Sequence, residues 1–342
     1  MNPIRVVLVG FGYWGPNLAR NVVLNPNYEL VSVVESDPQR RQTAQDLFRV
    51  RCFKSYEELD DDKIDLVIIA TRPASHLSIA THFMEKGCNL LVTKPCCISL
   101  DEATELFNIA SQNRVNVFVD YTYFYSPLIR HVKSSSSCQE ILNDARNYTS
   151  YRTSLGIIQS DVDVVLDLAV HDISILLFLR NTLPVAVQCN PIAGFSSSKV
   201  LNAVVLLEWD DSFTALIHVS WLSPIKKREV SILSSKSSII IDETNPKNPL
   251  EIFEISPSFS SLSELTFSEN LKRNISYSVG NSNSPLIDNF EPLSKQLEEI
   301  AAVLNGKSVQ FDLPSGSFTL DVWAVVEGLE RSLHLGGARV EI

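Results

Sequence analysis

Ile4-Arg5-Val6-Val7-Leu8-Val9-Gly10-Phe11-Gly12-Tyr13-Trp14-Gly15 is the stretch that decides how this chain folds. A short apolar run ends in three glycines spaced G-x-G-x-x-G. A carboxylate, Glu35, follows 20 residues beyond Gly15, at the end of a second apolar run. This is the sequence form of a dinucleotide fingerprint, in which a strand ends, the chain turns sharply, and a helix opens beneath a phosphate. Gly10 suits the tight turn, Gly12 leaves room for a pyrophosphate, and Gly15 lets helix and strand pack closely. The helix N-terminus offers N–H groups to the phosphates. Glu35 is placed to accept from ribose hydroxyls, and Arg40 and Arg41 are placed to meet a 2′-phosphate. The carboxylate repels such a phosphate, so NAD is expected rather than NADP.

Outward from this stretch, strand and helix patterns alternate over the first 120 residues. Strands are expected at 4–9, 29–34, 64–70, 89–92 and 115–119, and helices at about 12–23, from Pro38, at 75–86 and at 100–110. Asp37-Pro38 opens the second helix. The run Ile64–Ala70 is almost wholly apolar, as a parallel strand covered on both faces should be. The pattern predicts a doubly wound α/β domain. After Ser126 the composition shifts. Residues 167–179 read as a buried helix, and β-rich runs follow at 185–188, 200–209, 213–220, 229–233 and 238–241. Turns are expected at 210–212 and 234–237. A mainly antiparallel sheet is expected there, with loops around short strands over 256–290 and helices at 293–304 and 318–335.

The chain has 342 residues, which is long for one hydrophobic core. We expect residues 1–122 to bind the dinucleotide and 123–342 to bind substrate and mediate assembly, with the helix 318–335 packing back on the first domain. The net charge of −11 and the lack of a basic stripe argue against a nucleic-acid partner. No apolar run reaches the length of a membrane span. Strand 4–9 leaves no room for a signal peptide, so a cytoplasmic location is expected. Six cysteines show no C-x-x-C pair and read as reduced thiols, with no metal site expected.

Two motifs carry candidate chemistry. Val92-Thr93-Lys94-Pro95 ends a strand, where ligands of such sheets gather, and Lys94 there can hold a hydroxyl oxygen as charge develops. Asp167-Leu168-Ala169-Val170-His171-Asp172 places Asp167 and His171 on one helix face. An imidazole titrates near neutrality and can accept a hydroxyl proton. Asp167 would orient it, contact substrate, or merely cap the helix. His76 borders the nicotinamide or caps its helix. Tyr148, Tyr151 and Arg152 precede the Asp–His helix, where they can meet a sugar or an anion.

These motifs together resemble the Gfo/Idh/MocA oxidoreductase family over nearly the whole chain. The resemblance implies an N-terminal Rossmann domain and a C-terminal α/β domain with a large, open, mostly antiparallel sheet. It also implies a nicotinamide cofactor and a sugar substrate handled by the lysine and histidine matched here by Lys94 and His171. Gly12–Leu18, Ser160–Val164, 167–172 and His218–Leu222 are similar to the branch that oxidises the 3-hydroxyl of UDP-N-acetylglucosamine-type sugars. The chain departs from the family pattern at Thr93 (glutamate), at Tyr121 (histidine) and at Cys96-Cys97 (a small apolar pair). Another sugar or cyclitol dehydrogenase is the alternative within the family, and a non-catalytic cofactor-binding regulator the alternative outside it. The candidate set is completed by Tyr13, Trp14 and Thr71 at the cofactor and by Tyr121 and Tyr123 at the substrate. In the later sheet Phe213, Ile217, Val219 and Trp221 fall on one face, and Leu216 and His218 on the other. One face needs cover beyond the chain's own helices, so a homodimer or homotetramer through this sheet is expected; the rival cover is the segment 256–290.

Overall fold

The computed structural model describes residues 2–59, 63–156, 158, 162–192, 199–257 and 277–342. The first elements are β1 (Ile4–Val9), α1 (Gly15–Leu24), β2 (Tyr28–Val34), α2 (Pro38–Phe48), β3 (Arg51–Phe53), β4 (Leu66–Ile69), α3 (His76–Met84), β5 (Asn89–Thr93), α4 (Leu100–Asn113) and β6 (Val117–Asp120). Then come α5 (Pro127–Ser134), α6 (Ser136–Asn143), β7 (Ala145–Leu155), α7 (Val170–Arg180), β8 (Ala186–Pro191), β9 (Asn202–Glu208), β10 (Thr214–Ser220), β11 (Leu222–Ser234) and β12 (Ser237–Asp242). The last are β13 (Leu250–Pro257), β14 (Tyr277–Asn283), α8 (Pro292–Leu304), α9 (Gly316–His334) and β15 (Val340–Glu341).

The first sheet is parallel throughout, in the order β3-β2-β1-β4-β5-β6. Its central strands are buried on both faces: every residue of β4, and Val6 to Val9 of β1, lies in the core. That is why they read as unbroken apolar runs. Asp37 caps α2 by accepting from the N–H groups of Gln39 and Arg40, and Ser99 caps α4 by accepting from Glu102. The short edge strand β3 was not foreseen, since three half-exposed residues carry no period.

Among the described residues the second sheet has nine strands, in the order β14-β13-β12-β11-β7-β10-β9-β8-β15. All its pairs are antiparallel except β7 with β10. The expected fold class, a Rossmann unit plus an α/β unit with a large, mostly antiparallel sheet, is the one observed. Two expectations are corrected. The eleven-residue strand β7 sits mid-sheet, yet no strand was expected there. Its buried positions Tyr148, Ser150 and Arg152 are polar, so the alternation did not look like a core strand. And β11 begins at Leu222, well ahead of 229, with a register break between Leu222 and Lys227. Within 256–290, β13 pairs with β14, while 258–276 lies outside the described residues.

The chain divides into two compact units. One comprises Met1–Ile129, Ile173–Phe178 and Asn289–Glu327; the other comprises Arg130–Asp172, Leu179–Asp288 and Gly328–Ile342. Residues 289–327 thus return to the unit that holds the parallel sheet. In the first unit Tyr28 donates to the Leu297 carbonyl at 2.6 Å, and the Trp323 indole donates to Cys96 Sγ at 3.4 Å, so α8 and part of α9 belong with the parallel sheet. The nine-stranded sheet lies in the second unit. There Ala215, Ile217 and Val219 of β10 are buried and Leu216 and His218 are half-buried, as the two-residue period requires.

Candidate functional site

In the first unit the site is built on the turn between β1 and α1. Gly10 has φ +100°, and a Cβ there would lie 2.5 Å from the Ala70 carbonyl oxygen, so only glycine fits. A Cβ on Gly15 would lie 2.5 Å from the Gly10 carbonyl oxygen. This is the close approach of helix and strand that the fingerprint implies. At Gly12 the nearest atom to an added Cβ is Arg40 Nη1, at 3.7 Å. A side chain at Gly12 would thus stand in van der Waals contact with a guanidinium. Trp14, the N-cap of α1, makes no side-chain cap bond, so its side chain does not take up the first N–H groups of the helix. These features fit a dinucleotide.

Glu35 is buried and already engaged. Its Oε2 accepts from the Phe11 N–H at 2.7 Å and its Oε1 from the Asp37 N–H at 2.9 Å. The carboxylate therefore ties the end of β2 to the glycine loop, and a ribose hydroxyl would have to share it. Arg41 donates to the backbone carbonyls of Glu35 and Ser36, whereas Arg40 is exposed. Tyr13 projects into solvent at 82% exposure. The Trp14 indole donates to Asp120 Oδ2 at 2.7 Å.

His76 is buried, and its ring nitrogens face the Cys96 and Thr71 carbonyls at 3.2 and 3.0 Å. It clamps the loops after β4 and β5, a task neither expected alternative described. The Thr71 hydroxyl meets that of Ser75 at 2.9 Å. Lys94 leaves the carboxyl end of β5 half-buried, through a cis bond to Pro95. Cys96 and Cys97 are buried free thiols. Their mutual hydrogen bond and then burial push the Cys97 thiol well up, which disfavours its thiolate. Tyr121, expected at the substrate, is instead a core residue, 2% exposed and edge-on to Phe318 at 5.7 Å. Tyr123 is half-buried.

In the second unit the Asp–His motif spans a π-helical turn, Val165–Ala169, that runs into α7. Such turns recur at functional sites. Asp163, not Asp167, caps it, accepting from the Val165 and Leu166 N–H groups at 3.0 Å each. Asp167 is half-buried and accepts from the Trp221 indole at 3.1 Å; His171 is half-buried. Asp172 is fully buried and turned to β7. Its Oδ2 accepts from Arg152 Nε at 2.7 Å and its Oδ1 from the Tyr148 hydroxyl at 2.9 Å. Burial, and then the charge of Asp172, push the Tyr148 hydroxyl well above its usual range, so it remains the donor. Arg152, expected at the substrate, is thus the buried partner of Asp172, 3% exposed. The sequence reading gave no role to Asp120, Asp163 or Asp172. Only the place of Asp120 at a strand end and of Asp172 next to the histidine marked those two. Among the described residues no cluster of three or more His, Cys, Asp or Glu could hold a metal, and no helix is long and apolar enough to cross a membrane.

Comparison with known proteins matches residues 4–121 to the Gfo/Idh/MocA model, described as an oxidoreductase family with an NAD-binding Rossmann fold. The chain is similar to the UDP-N-acetylglucosamine 3-dehydrogenase of Acidithiobacillus ferrooxidans, 23% identical over 191 residues, which is 56% of this chain and 59% of that protein. It is also similar to the scyllo-inositol 2-dehydrogenase (NAD(+)) of Bacillus subtilis, 24% identical over 228 residues, or 64% of each chain. The matched stretches thus span less than two thirds of either relative. A solved structure of the Acidithiobacillus ferrooxidans enzyme superposes with a TM-score of 0.79 at 18% identity, covering 98% of this chain and 99% of that one. At that identity the likeness concerns the fold.

Proposed function

From a chain whose residues 4–121 belong to the Gfo/Idh/MocA oxidoreductase family with its NAD-binding Rossmann fold, we propose an NAD-dependent dehydrogenase acting on a secondary hydroxyl of a sugar. C3 of a UDP-N-acetylhexosamine-type substrate is the first position to test. The observation that carries the reading is the placement of Lys94. It leaves β5 at the same carboxyl edge of the parallel sheet at which the glycine turn follows β1, and ligands of such sheets bind at that edge.

The residues would share the work as follows. The loop Gly10–Gly15 and the N-terminus of α1 hold the pyrophosphate, with Tyr13, Trp14, Thr71 and His76 shaping the rest of the cofactor site. Glu35 sets the loop and disfavours a 2′-phosphate, hence NAD over NADP. When bound, the nicotinamide supplies a hydride acceptor. His171 takes the proton from the substrate hydroxyl, Lys94 holds that oxygen as charge develops, and Asp167 orients. Tyr123 contributes to the substrate side. The substrate leaves as a ketone, having lost one proton and one hydride. Residues 1–122 supply the cofactor part, and the later sheet supplies substrate contacts and the interface of a homodimer or homotetramer.

A cyclitol dehydrogenase is the second reading, favoured by the similarity to the scyllo-inositol enzyme. The test is a titration with NAD present, reading NADH absorbance, of a panel containing UDP-N-acetylglucosamine, UDP-glucose, free N-acetylglucosamine and scyllo-inositol. Turnover with the UDP-amino sugar supports the first reading, and turnover with inositol alone the second. A protein that binds NADH yet oxidises none of them would be a regulator.

A further inference from the structure

The structure assigns Asp120 the role of a positioning residue that couples the cofactor loop to Lys94. This rests on the reading of Lys94 as the group that holds the hydroxyl oxygen. Asp120 ends β6, and Thr93 lies opposite it in the register with β5, so Lys94 leaves the sheet one residue beyond this pair. The carboxylate is 2% exposed. Its Oδ2 accepts from the Trp14 indole at 2.7 Å, which reaches across 106 positions of sequence into the glycine loop. Its Oδ1 accepts from the Thr122 hydroxyl at 2.9 Å. Burial pushes its pKa up, and the hydrogen bonds from Trp14 and Thr122 and the charge of Lys94 oppose that push.

A buried carboxylate is costly unless donors and a counter-charge meet it. Here one donor, Trp14, comes from the phosphate loop, and the nearby positive charge is the candidate lysine. One carboxylate thereby fixes the loop that would carry the pyrophosphate and sets its negative charge beside Lys94 at the strand end. An ammonium donates to the substrate oxygen in the hydroxyl and in the ketone alike, and it stabilises negative charge between them.

The test uses the full chain and two readouts that need no sugar. The first is the rate at which a small amine-acylating reagent labels Lys94 at one fixed pH, measured by mass spectrometry with exposed Lys236 as internal reference. The second is NADH affinity by calorimetry. Asp120→Asn removes the charge and should speed Lys94 labelling by about threefold or more, and Asp120→Glu should restore the slower rate. Trp14→Phe removes one hydrogen bond and should weaken NADH binding by about fivefold, leaving Lys94 labelling unchanged. Labelling of Lys94 at the parent rate in Asp120→Asn would overturn the proposal. If that variant does not fold, unchanged NADH affinity in Trp14→Phe overturns it instead. A protein that passes both but oxidises no sugar would sink the proposed reaction and leave the coupling intact.

Discussion

At the scale of single residues, the neighbours His171 and Asp172 face different tasks. Asp172 is turned inward to Arg152 and Tyr148, with the ion pair almost wholly buried. Removing one member of such a pair strands the other charge, so Asp172→Ala should lower stability by about 3–5 kcal/mol. Tyr148→Phe removes a hydrogen-bond donor and should cost nearer about 1 kcal/mol. Urea unfolding of both variants checks the order. His171→Ala should leave stability near the parent value and lower turnover roughly 10²–10⁴-fold, with Lys94→Ala similar. Steady-state rates decide this, and near-normal turnover in His171→Ala removes it as the main base. The motif showed that an aspartate and a histidine stand four apart. It did not show which of Asp163, Asp167 and Asp172 caps, which faces Trp221 and which is buried, because each role depends on a partner far away in sequence.

At the scale of elements, legibility followed burial. The central parallel strands β1 and β4 are almost wholly apolar and buried on both faces and could be read directly. Strand β7 could not, because its inward residues Tyr148, Ser150 and Arg152 are polar and are tolerated only through partners such as Asp172. The π-helical turn at Val165–Ala169 has no sequence period of its own. The glycine turn was the most readable element, since each glycine answers a steric demand. Gly15→Ala would press a methyl group against the Gly10 carbonyl. The loop must then shift, and NADH binding should weaken about tenfold while the fold persists, an overpacking cost of order 1–3 kcal/mol. Calorimetry with a thermal melt separates the two effects. Unchanged affinity would mean that the loop does not hold the pyrophosphate.

At the scale of the whole molecule, the outward residues of the second sheet include Val204, Leu206, Leu216 and Tyr151, all half-exposed in the single chain. Such a face asks for cover, and a second copy of the same sheet is the simplest cover. Light scattering at low micromolar concentration should therefore give a multiple of the 38.2 kDa chain mass; a species of that mass alone would remove the oligomer. The claim on which the account turns is hydride transfer from a sugar carbon. The most direct measurement incubates the protein with NAD and UDP-N-acetylglucosamine deuterated at C3, then weighs the nicotinamide product by mass spectrometry. The account predicts NADH carrying one deuterium. Unlabelled NADH, or none from a protein that binds NAD, would contradict it.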